Sequence, residues 1–284
     1  MRALITGASG HIGKAIEAHS KLAAEVQMVA ASRHKDEKKR RASTLPSCYF
    51  DFEDSQSWEE AFKGIDLLFL LRPPQLADVE GVFKPMLVGA QEAGIKKIIF
   101  LSVQGAENNS IIPHRKIEKL ILQMNFDYIF IRPSYFMQNL TADLLAEIRT
   151  KKRISLPAGD AKFVWVDAYN IGEAIVMLMQ RFNEYANQPM IITGSEKKNF
   201  YQVADLLSQE LKQKVVYKSV NPFYFFYLKL KAKQPFTKVI VMFVLHFLPR
   251  FSKPPALSGN YKKLTGKTPT LLHEFIKREA SSFS

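Results

Sequence analysis

The chain of 284 residues carries 40 Lys and Arg against 27 Asp and Glu, a formal net charge of +13, with 47% hydrophobic and 24% charged residues. That balance supports a sizeable core in one large domain or two joined ones, and excludes a mostly disordered chain. A single cysteine, Cys48, excludes an intrachain disulfide framework and fits a reducing compartment.

In chain order, RALIT reads as a buried strand and HIGKAIEAHSKLA as the helix after it. EVQMVAAS is a second strand and CYFDF a short third. SQSWEEAFKG follows as a helix that Ser55 or Ser57 would cap. The almost wholly apolar DLLFLL suits a central parallel strand. DVEGVFKPMLVGAQEAG is a helix ending at Gly94, KKIIFLS a strand, HRKIEKLILQM a helix and DYIFIRP a sixth strand. Strands alternating with helices in this way predict an α/β fold, a doubly wound parallel sheet of Rossmann type.

After Pro133 the pattern loosens. SYFMQNLTADLLAEIRTKK reads as one helix, and KFVWVDAYNIGEAIVMLMQRF as a strand entering a helix near Asp167. PMIITG, near 189–193, is short enough to return to the first sheet. NFYQVADLLSQELKQ is a helix, KVVYKSV a strand and TLLHEFIKREASSF a closing helix. The expected division is therefore a Rossmann domain over 1–133 and a smaller C-terminal part over 134–284. Because the first six residues already read as a strand, no signal peptide is expected. The apolar run VIVMFVLHFL, Val239 to Leu248, is about half a membrane span. The expected setting is cytoplasmic.

ITGASGHIG carries the first chemistry. A strand running into a glycine-rich turn and then a helix presents free backbone N–H groups and the positive end of a helix dipole to a pyrophosphate. Gly7, Ser9, Gly10, His11, Ile12 and Gly13 line that turn. The spacing G-x-x-G-x-x-G departs by one residue from the usual dinucleotide pattern, yet its place between strand and helix points to dinucleotide binding. An NAD site usually ends its second strand on an acid that binds the ribose 2′-hydroxyl. Here that position holds Arg33, followed by His34 and Lys35. A cation there suits a 2′-phosphate, which favours NADP(H) over NAD(H).

With TGASGHIG, FEDSQSWEEAFKGIDLLFLL, KKIIFLSVQGA, IEKLILQMNFDYIFIRPSYFMQNL and LTGKTPTLLHEF in view, the chain resembles the NmrA-like family of the atypical short-chain dehydrogenase/reductase superfamily over nearly its whole length. The resemblance implies a Rossmann domain that binds NADP(H) or NAD(H), with a C-terminal substrate-binding part. Members of this group are either reductases of quinones and related acceptors or regulators that sense nicotinamide nucleotides. At matching positions it implies cofactor contacts from Asp51 and Phe52 along the adenine and from Leu71 and Arg72 at the ribose. Ser102, Pro133, Tyr135 and Phe136 would stand toward the nicotinamide, with Tyr135 and Phe136 equally readable as core aromatics.

Catalysis is where the sequence departs from typical short-chain dehydrogenases. Those enzymes use a Tyr-x-x-x-Lys pair after the fifth strand, and between Ser102 and Met124 there is no tyrosine. His114 stands about where related ether and isoflavone-type reductases keep a lysine, and Glu118 comes four residues later. His114 is the candidate general acid, since imidazole titrates near neutrality, and its helix-start position favours the neutral form. A quinone acceptor needs no such group, because water protonates the product.

The aromatic segment from Asn221 to Pro255 reads as a pocket wall and core, with membrane-surface and partner contacts as alternatives. His246 and His273 read as core or boundary histidines, and no metal-ligand spacing appears. The basic clusters Arg33–Arg41 and Lys151–Arg153 read as solvated surface, with anionic-cofactor recognition and nucleic acid as alternatives. The leading expectation is an NAD(P)H-dependent oxidoreductase of a flat, apolar small-molecule acceptor, by direct hydride transfer. The alternative is a non-catalytic NADP(H)-binding redox sensor acting through a protein partner.

Overall fold

The computed structural model describes residues 1–36 and 43–283. Its apolar runs become β1 (Arg2–Ile5), β2 (Gln27–Ser32), β3 (Ser47–Tyr49), β4 (Leu67–Leu71), β5 (Lys97–Leu101), β6 (Asp127–Pro133) and β7 (Gln188–Ile192). They form one sheet in the order β7-β6-β5-β4-β1-β2-β3, and every pairing is parallel. β4 and β5 run in register from Leu67↔Lys97 to Leu71↔Leu101. Leu67 to Leu70 and Ile98 to Phe100 are fully buried, as strands covered on both faces must be.

Parallel strands need crossovers, and helices supply them: α1 (His11–His19), α2 (Trp58–Phe62), α3 (Lys84–Glu92) and α4 (Pro113–Gln123). Phe50, Phe62, Phe83, Leu87, Ile117 and Ile121 pack with Leu4, Leu68 and Phe100 into one core. A further helix, α5 (Ala168–Gln180), packs on α1. Contacts divide the chain into two units, the first comprising Met1–Ser134, Ala168–Ile192 and Gly259–Thr268. Its last piece includes the short helix Asn260–Thr265, held where Tyr261 Oη donates to Glu173 at 2.6 Å and accepts from Asn170 at 2.9 Å.

The second unit is Tyr135–Asp167, Thr193–Ser258 and Pro269–Ser284. It holds the strand Phe163–Val166 between Lys197–Lys198 and Tyr135–Phe136, and the pair Val216–Ser219 with Arg153–Leu156. Its core is aromatic: Tyr135 lies 5.0 Å from Phe163 and 4.8 Å from Trp165, and Trp165 lies 5.5 Å from Phe200, between ring centroids.

Several local expectations change. The stretch after Pro133 is not one helix. Tyr135–Phe136 is drawn into a strand by pairing with Trp165–Val166, and the helix begins only at Leu145, ending at Lys151. Asp54, rather than Ser55 or Ser57, caps the turn before α2, its carboxylate accepting the Gln56 N–H at 3.2 Å. Ser57 Oγ instead donates to the Asp54 carbonyl at 2.6 Å. The closing helix breaks into Leu272–Arg278 and Ala280–Phe283. His273 is exposed, not a core or boundary residue, whereas His246 is buried.

Candidate functional site

After β1 the chain builds β2 and β3 on one side, then crosses back to β4 on the other. The crevice beyond the C-terminal ends of β1 and β4 is therefore the sheet's topological switch point, where open parallel sheets bind ligands. Thr6 rivets the two strand ends. Its hydroxyl donates to the Phe69 carbonyl at 3.0 Å and accepts the Leu71 N–H at 2.7 Å.

Each glycine of the turn answers a different steric demand. Gly7 has φ +70°, and a Cβ there would come within 3.0 Å of Leu71 Cδ2. The Gly10 N–H closes the turn on the Gly7 carbonyl at 3.0 Å, and Gly10 caps α1 without any side-chain bond. Gly13, inside the first turn of α1, faces the Ala8 backbone so closely that a Cβ would lie well under 3.0 Å from it. The first amides of α1, those of His11, Ile12 and Gly13, have no acceptor within the helix. No acidic side chain stands in that turn, so the positive helix end is open to an anion. Ser9 and His11 are exposed, and Ile12 is buried.

Arg33 directly follows β2, is exposed, and makes no hydrogen bond or ion pair among the described residues. Lys35 pairs with Asp54 at 3.6 Å. Residues 37–41 of that basic cluster lie outside the described residues. Asp51, after β3, accepts the Glu53 N–H at 3.1 Å through its carboxylate and the Trp58 indole N–H at 2.8 Å through its carbonyl. The Phe52 ring is packed against Phe50 and Phe83 in the core. It offers no ring face to an adenine, so any contact from Phe52 is through its main chain.

Arg72, one residue beyond the Leu71–Gly7 approach, curls over its own loop. Its Nη1 donates to the carbonyls of Pro73, Pro74 and Leu76 at 2.9, 3.0 and 2.8 Å. Its Nε is buried with no partner, and burial lowers the guanidinium pKa. A glycine cradle that a Cβ would fill, an uncapped helix end and an unspent buried arginine donor together fit a long polyanionic ligand such as a dinucleotide.

His114 lies at the start of α4, its ring stacked on Phe100 with centroids 6.2 Å apart. Burial, with the Arg72 charge, pushes the imidazole pKa down to about 4. Burial, more than the helix-start position, favours the neutral imidazole. Four residues on, Glu118 is wholly buried and takes hydrogen bonds from Ser102 Oγ at 2.7 Å, Arg132 Nε at 2.9 Å, Arg132 Nη2 at 2.8 Å and Arg115 at 3.0 Å. Arg132 also meets Glu107 at 2.8 Å. Burial acts to raise the Glu118 carboxyl, but the bonds from Arg132 and Ser102 outweigh it and hold the pKa below its ordinary value. The Ser102 hydroxyl is thus committed to tying the end of β5 to α4 and β6.

Sequence reasoning missed Glu118 and Arg132 as a pair. The available signal was an arginine inside the otherwise apolar DYIFIRP and a glutamate on the apolar face of HRKIEKLIL. Pro133 is buried at the end of β6, its carbonyl accepting the Gln104 N–H at 3.0 Å.

Tyr135 and Phe136 belong to the second unit. His246 Nδ1 faces the Met242 carbonyl at 2.6 Å and must donate to it, so Nε2 accepts the Tyr135 hydroxyl at 2.8 Å. Burial raises the Tyr135 phenol far above its usual range and lowers His246 to about 4. Tyr135 is therefore a core aromatic with its hydroxyl spent, while Phe136 is half-buried.

Comparison with protein families matches residues 1–246 to the NmrA-like family. Among curated proteins, the chain is 24% identical over 294 residues to an NAD(P)H azoreductase of Xenophilus azovorans, covering 99% of this chain and 98% of that one. It is 25% identical over 226 residues to prestalk A differentiation protein A of Dictyostelium discoideum, covering 78% of this chain and 73% of that one. Among solved structures, the triphenylmethane reductase of Citrobacter sp. complexed with NADP(H) superposes with a TM-score of 0.84 at 22% identity, covering 97% and 99% of the two chains. The NADPH-dependent quinone oxidoreductase of Escherichia coli complexed with NADPH gives 0.84 at 19%, covering 98% and 99%. These likenesses show the Rossmann-type fold.

Proposed function

The chain belongs to the NmrA-like family, and on that premise we propose that it is an NADPH-dependent reductase of a flat, apolar acceptor of the quinone kind, working without a Tyr/Lys dyad. The observation that carries this reading is the glycine turn at the β1/β4 switch point, opening onto an uncapped helix end. When bound there, the nicotinamide nucleotide supplies the hydride.

The chain's own residues divide the remaining work. Backbone amides from Ser9 to Gly13 hold the pyrophosphate, with Gly7, Gly10 and Gly13 keeping side chains out of its way. Arg33, unpaired among the described residues, meets the 2′-phosphate and selects NADP(H) over NAD(H). Asp51 and the Phe52 main chain border the adenine, and Leu71 and Arg72 wall the ribose side. Ser102 and Pro133 shape the floor toward the nicotinamide, Ser102 through its bond to Glu118. His114 stays neutral there and positions the acceptor or cofactor by hydrogen bonding. Burial lowers the His114 imidazole and raises the Tyr135 phenol, which disfavours both as proton donors, and a quinone acceptor can take its proton from water. The names of the similar azoreductase, dye reductase and quinone oxidoreductase support an extended conjugated acceptor.

The missing Tyr-x-x-x-Lys pair between Ser102 and Met124 also favours a second reading, an NADP(H)-binding sensor that acts through a protein partner. Steady-state loss of NADPH absorbance against benzoquinones and naphthoquinones separates the two. Saturable turnover supports the reductase, whereas tight NADPH binding without turnover on any acceptor supports the sensor.

A further inference from the structure

The second unit carries an apolar surface that the proposed chemistry does not use. The helix Phe236–Phe247 turns Val239, Met242 and His246 into its unit, where all three are buried. At ~100° per residue, Ile240, Val241, Val244, Leu245 and Leu248 fall in the opposite arc, and all five are exposed. A helix apolar on every side is otherwise found in a deep core or against lipid.

The neighbouring helix, Pro222–Lys231, also exposes large aromatics, Phe223 at 84% and Tyr227. Phe251, just beyond the first helix, is 72% exposed. Ring contacts join the two helices and the segment after them: Phe226 meets Phe243 at 5.1 Å, Phe243 meets Phe247 at 4.8 Å, and Phe247 meets Phe251 at 5.2 Å between centroids. At ~200 Å² per ring, the exposed parts of Phe223, Tyr224, Tyr227, Phe236 and Phe251 alone come to about 600 Å². That exposed aromatic area matches the largest apolar patch of an ordinary monomer, before any aliphatic residue is added.

The charge on this segment has one sign. From Leu211 to Ser258 the chain has eight lysines and Arg250 and neither Asp nor Glu. Lys238 is paired with Asp143 at 2.7 Å, and Lys229 lies over the Phe225 ring. Lys231 stands over Tyr227 and Arg250 over Phe247 and Phe251, with both residues exposed. Lys233 and Lys253 are also exposed. Cations on aromatic stems at the margin of an apolar face are the pattern of an interfacial helix.

We propose that the helices Pro222–Lys231 and Phe236–Phe247, with the segment after them, form a docking face for an anionic lipid bilayer. The charge decides between occupants. Pairing with a second copy would set the same cations against each other with no acid in the segment to meet them, whereas anionic headgroups complement them. No helix among the described residues is long and apolar enough to cross a membrane. The 12 residues of the outer helix span ~18 Å against a ~30 Å hydrocarbon core, so it lies in the interface plane. This face places the protein where lipid-soluble quinones reside. That corollary rests on the reductase reading, whereas the docking face itself does not.

The test is flotation of the full chain, without nucleotide, with phosphatidylcholine vesicles and with vesicles of equal parts phosphatidylcholine and phosphatidylglycerol. Flotation is expected with the anionic vesicles only, weakening with added salt. Replacing Lys233 and Lys253 by Gln is expected to lower partitioning about thirtyfold, taking ~1 kcal/mol, or about fivefold, per surface cation. Val241→Asp and Phe251→Asp, both at exposed positions, are expected to abolish flotation while leaving the NADPH affinity unchanged. Three results would overturn the proposal: no flotation with anionic vesicles, equal flotation of both Asp variants and the parent, or a lipid-free dimer that Val241→Asp dissociates. None of these reads turnover, so failure here is distinct from failure of the reductase reading.

Discussion

Replacing Gly13 by Ala adds one methyl group where the Ala8 backbone already sits, with Cα, C and O of Ala8 all well under 3.0 Å from the new Cβ. The obstacle is main chain and cannot rotate away, so α1 must shift by about an ångström relative to the turn to restore contact. The stability cost of such overpacking is about 1–3 kcal/mol. The larger effect falls on the anion site, because a shift of that size breaks hydrogen bonds from the helix amides. Losing two charge-assisted bonds, at ~1.5–3 kcal/mol each, raises the NADPH dissociation constant by two to four orders of magnitude, about 1.4 kcal/mol per tenfold. Gly10→Ala is the control. Its Cβ would lie 3.4 Å from the Gly7 carbonyl, an ordinary contact, so it should leave the unfolding curve nearly unchanged, and any loss of binding comes from the methyl meeting the pyrophosphate. Calorimetric titration of both variants with NADPH, beside their thermal unfolding curves, reads the two effects separately. A folded Gly13→Ala protein that binds NADPH within a few-fold of the parent would refute the reasoning.

Arg33→Asp should raise the NADPH dissociation constant about 10- to 100-fold, from a charged contact worth ~1.5–3 kcal/mol, and leave NADH binding nearly unchanged. Equal effects on the two nucleotides would remove Arg33 from the 2′-phosphate. Glu118→Gln removes the charge that Arg132 and Arg115 share and should cost about 3–5 kcal/mol in urea unfolding; a loss below about 1 kcal/mol would contradict the buried network. His114 and His246 are both lowered from 6.5 to about 4, so the unfolded chain binds more protons between those values. Each should contribute stability that is complete above pH 6.5 and is lost as pH falls through about 4, of order 3 kcal/mol apiece. Unfolding midpoints that stay flat over that window would contradict this. His114→Ala should leave turnover within a few-fold of the parent and the rate profile unbroken between pH 6 and 8; a tenfold loss or more would restore a catalytic role.

The glycine turn was legible because Gly7 and Gly13 answer local demands that no other residue meets. Gly7 takes a positive φ and Gly13 accepts the Ala8 backbone. The strands were legible because parallel strands buried on both faces read as unbroken apolar runs, LLFLL in β4 and KIIFL in β5. Tertiary partners were not legible. Tyr135–Phe136 looks helical alone and becomes a strand only by meeting Trp165–Val166, some 30 residues later in the chain. Glu118 and Arg132 sit on apolar elements with nothing local to pair them, and they meet only when α4 is laid beside β6. The run Val239 to Leu248 is apolar on every side, so no periodicity distinguishes its buried stripe from its exposed one. The pKa of His114 likewise depends on burial and on Arg72, which is distant in sequence.

The most direct test of the central claim is a single-turnover experiment, in which protein loaded with stoichiometric NADPH is mixed with a naphthoquinone and the nicotinamide absorbance is followed. A rapid loss of one reduced nucleotide per chain, absent in Gly13→Ala, is the expected result. If NADPH fails to bind the parent, or binds and remains reduced with every quinone supplied, the chain is not the proposed reductase.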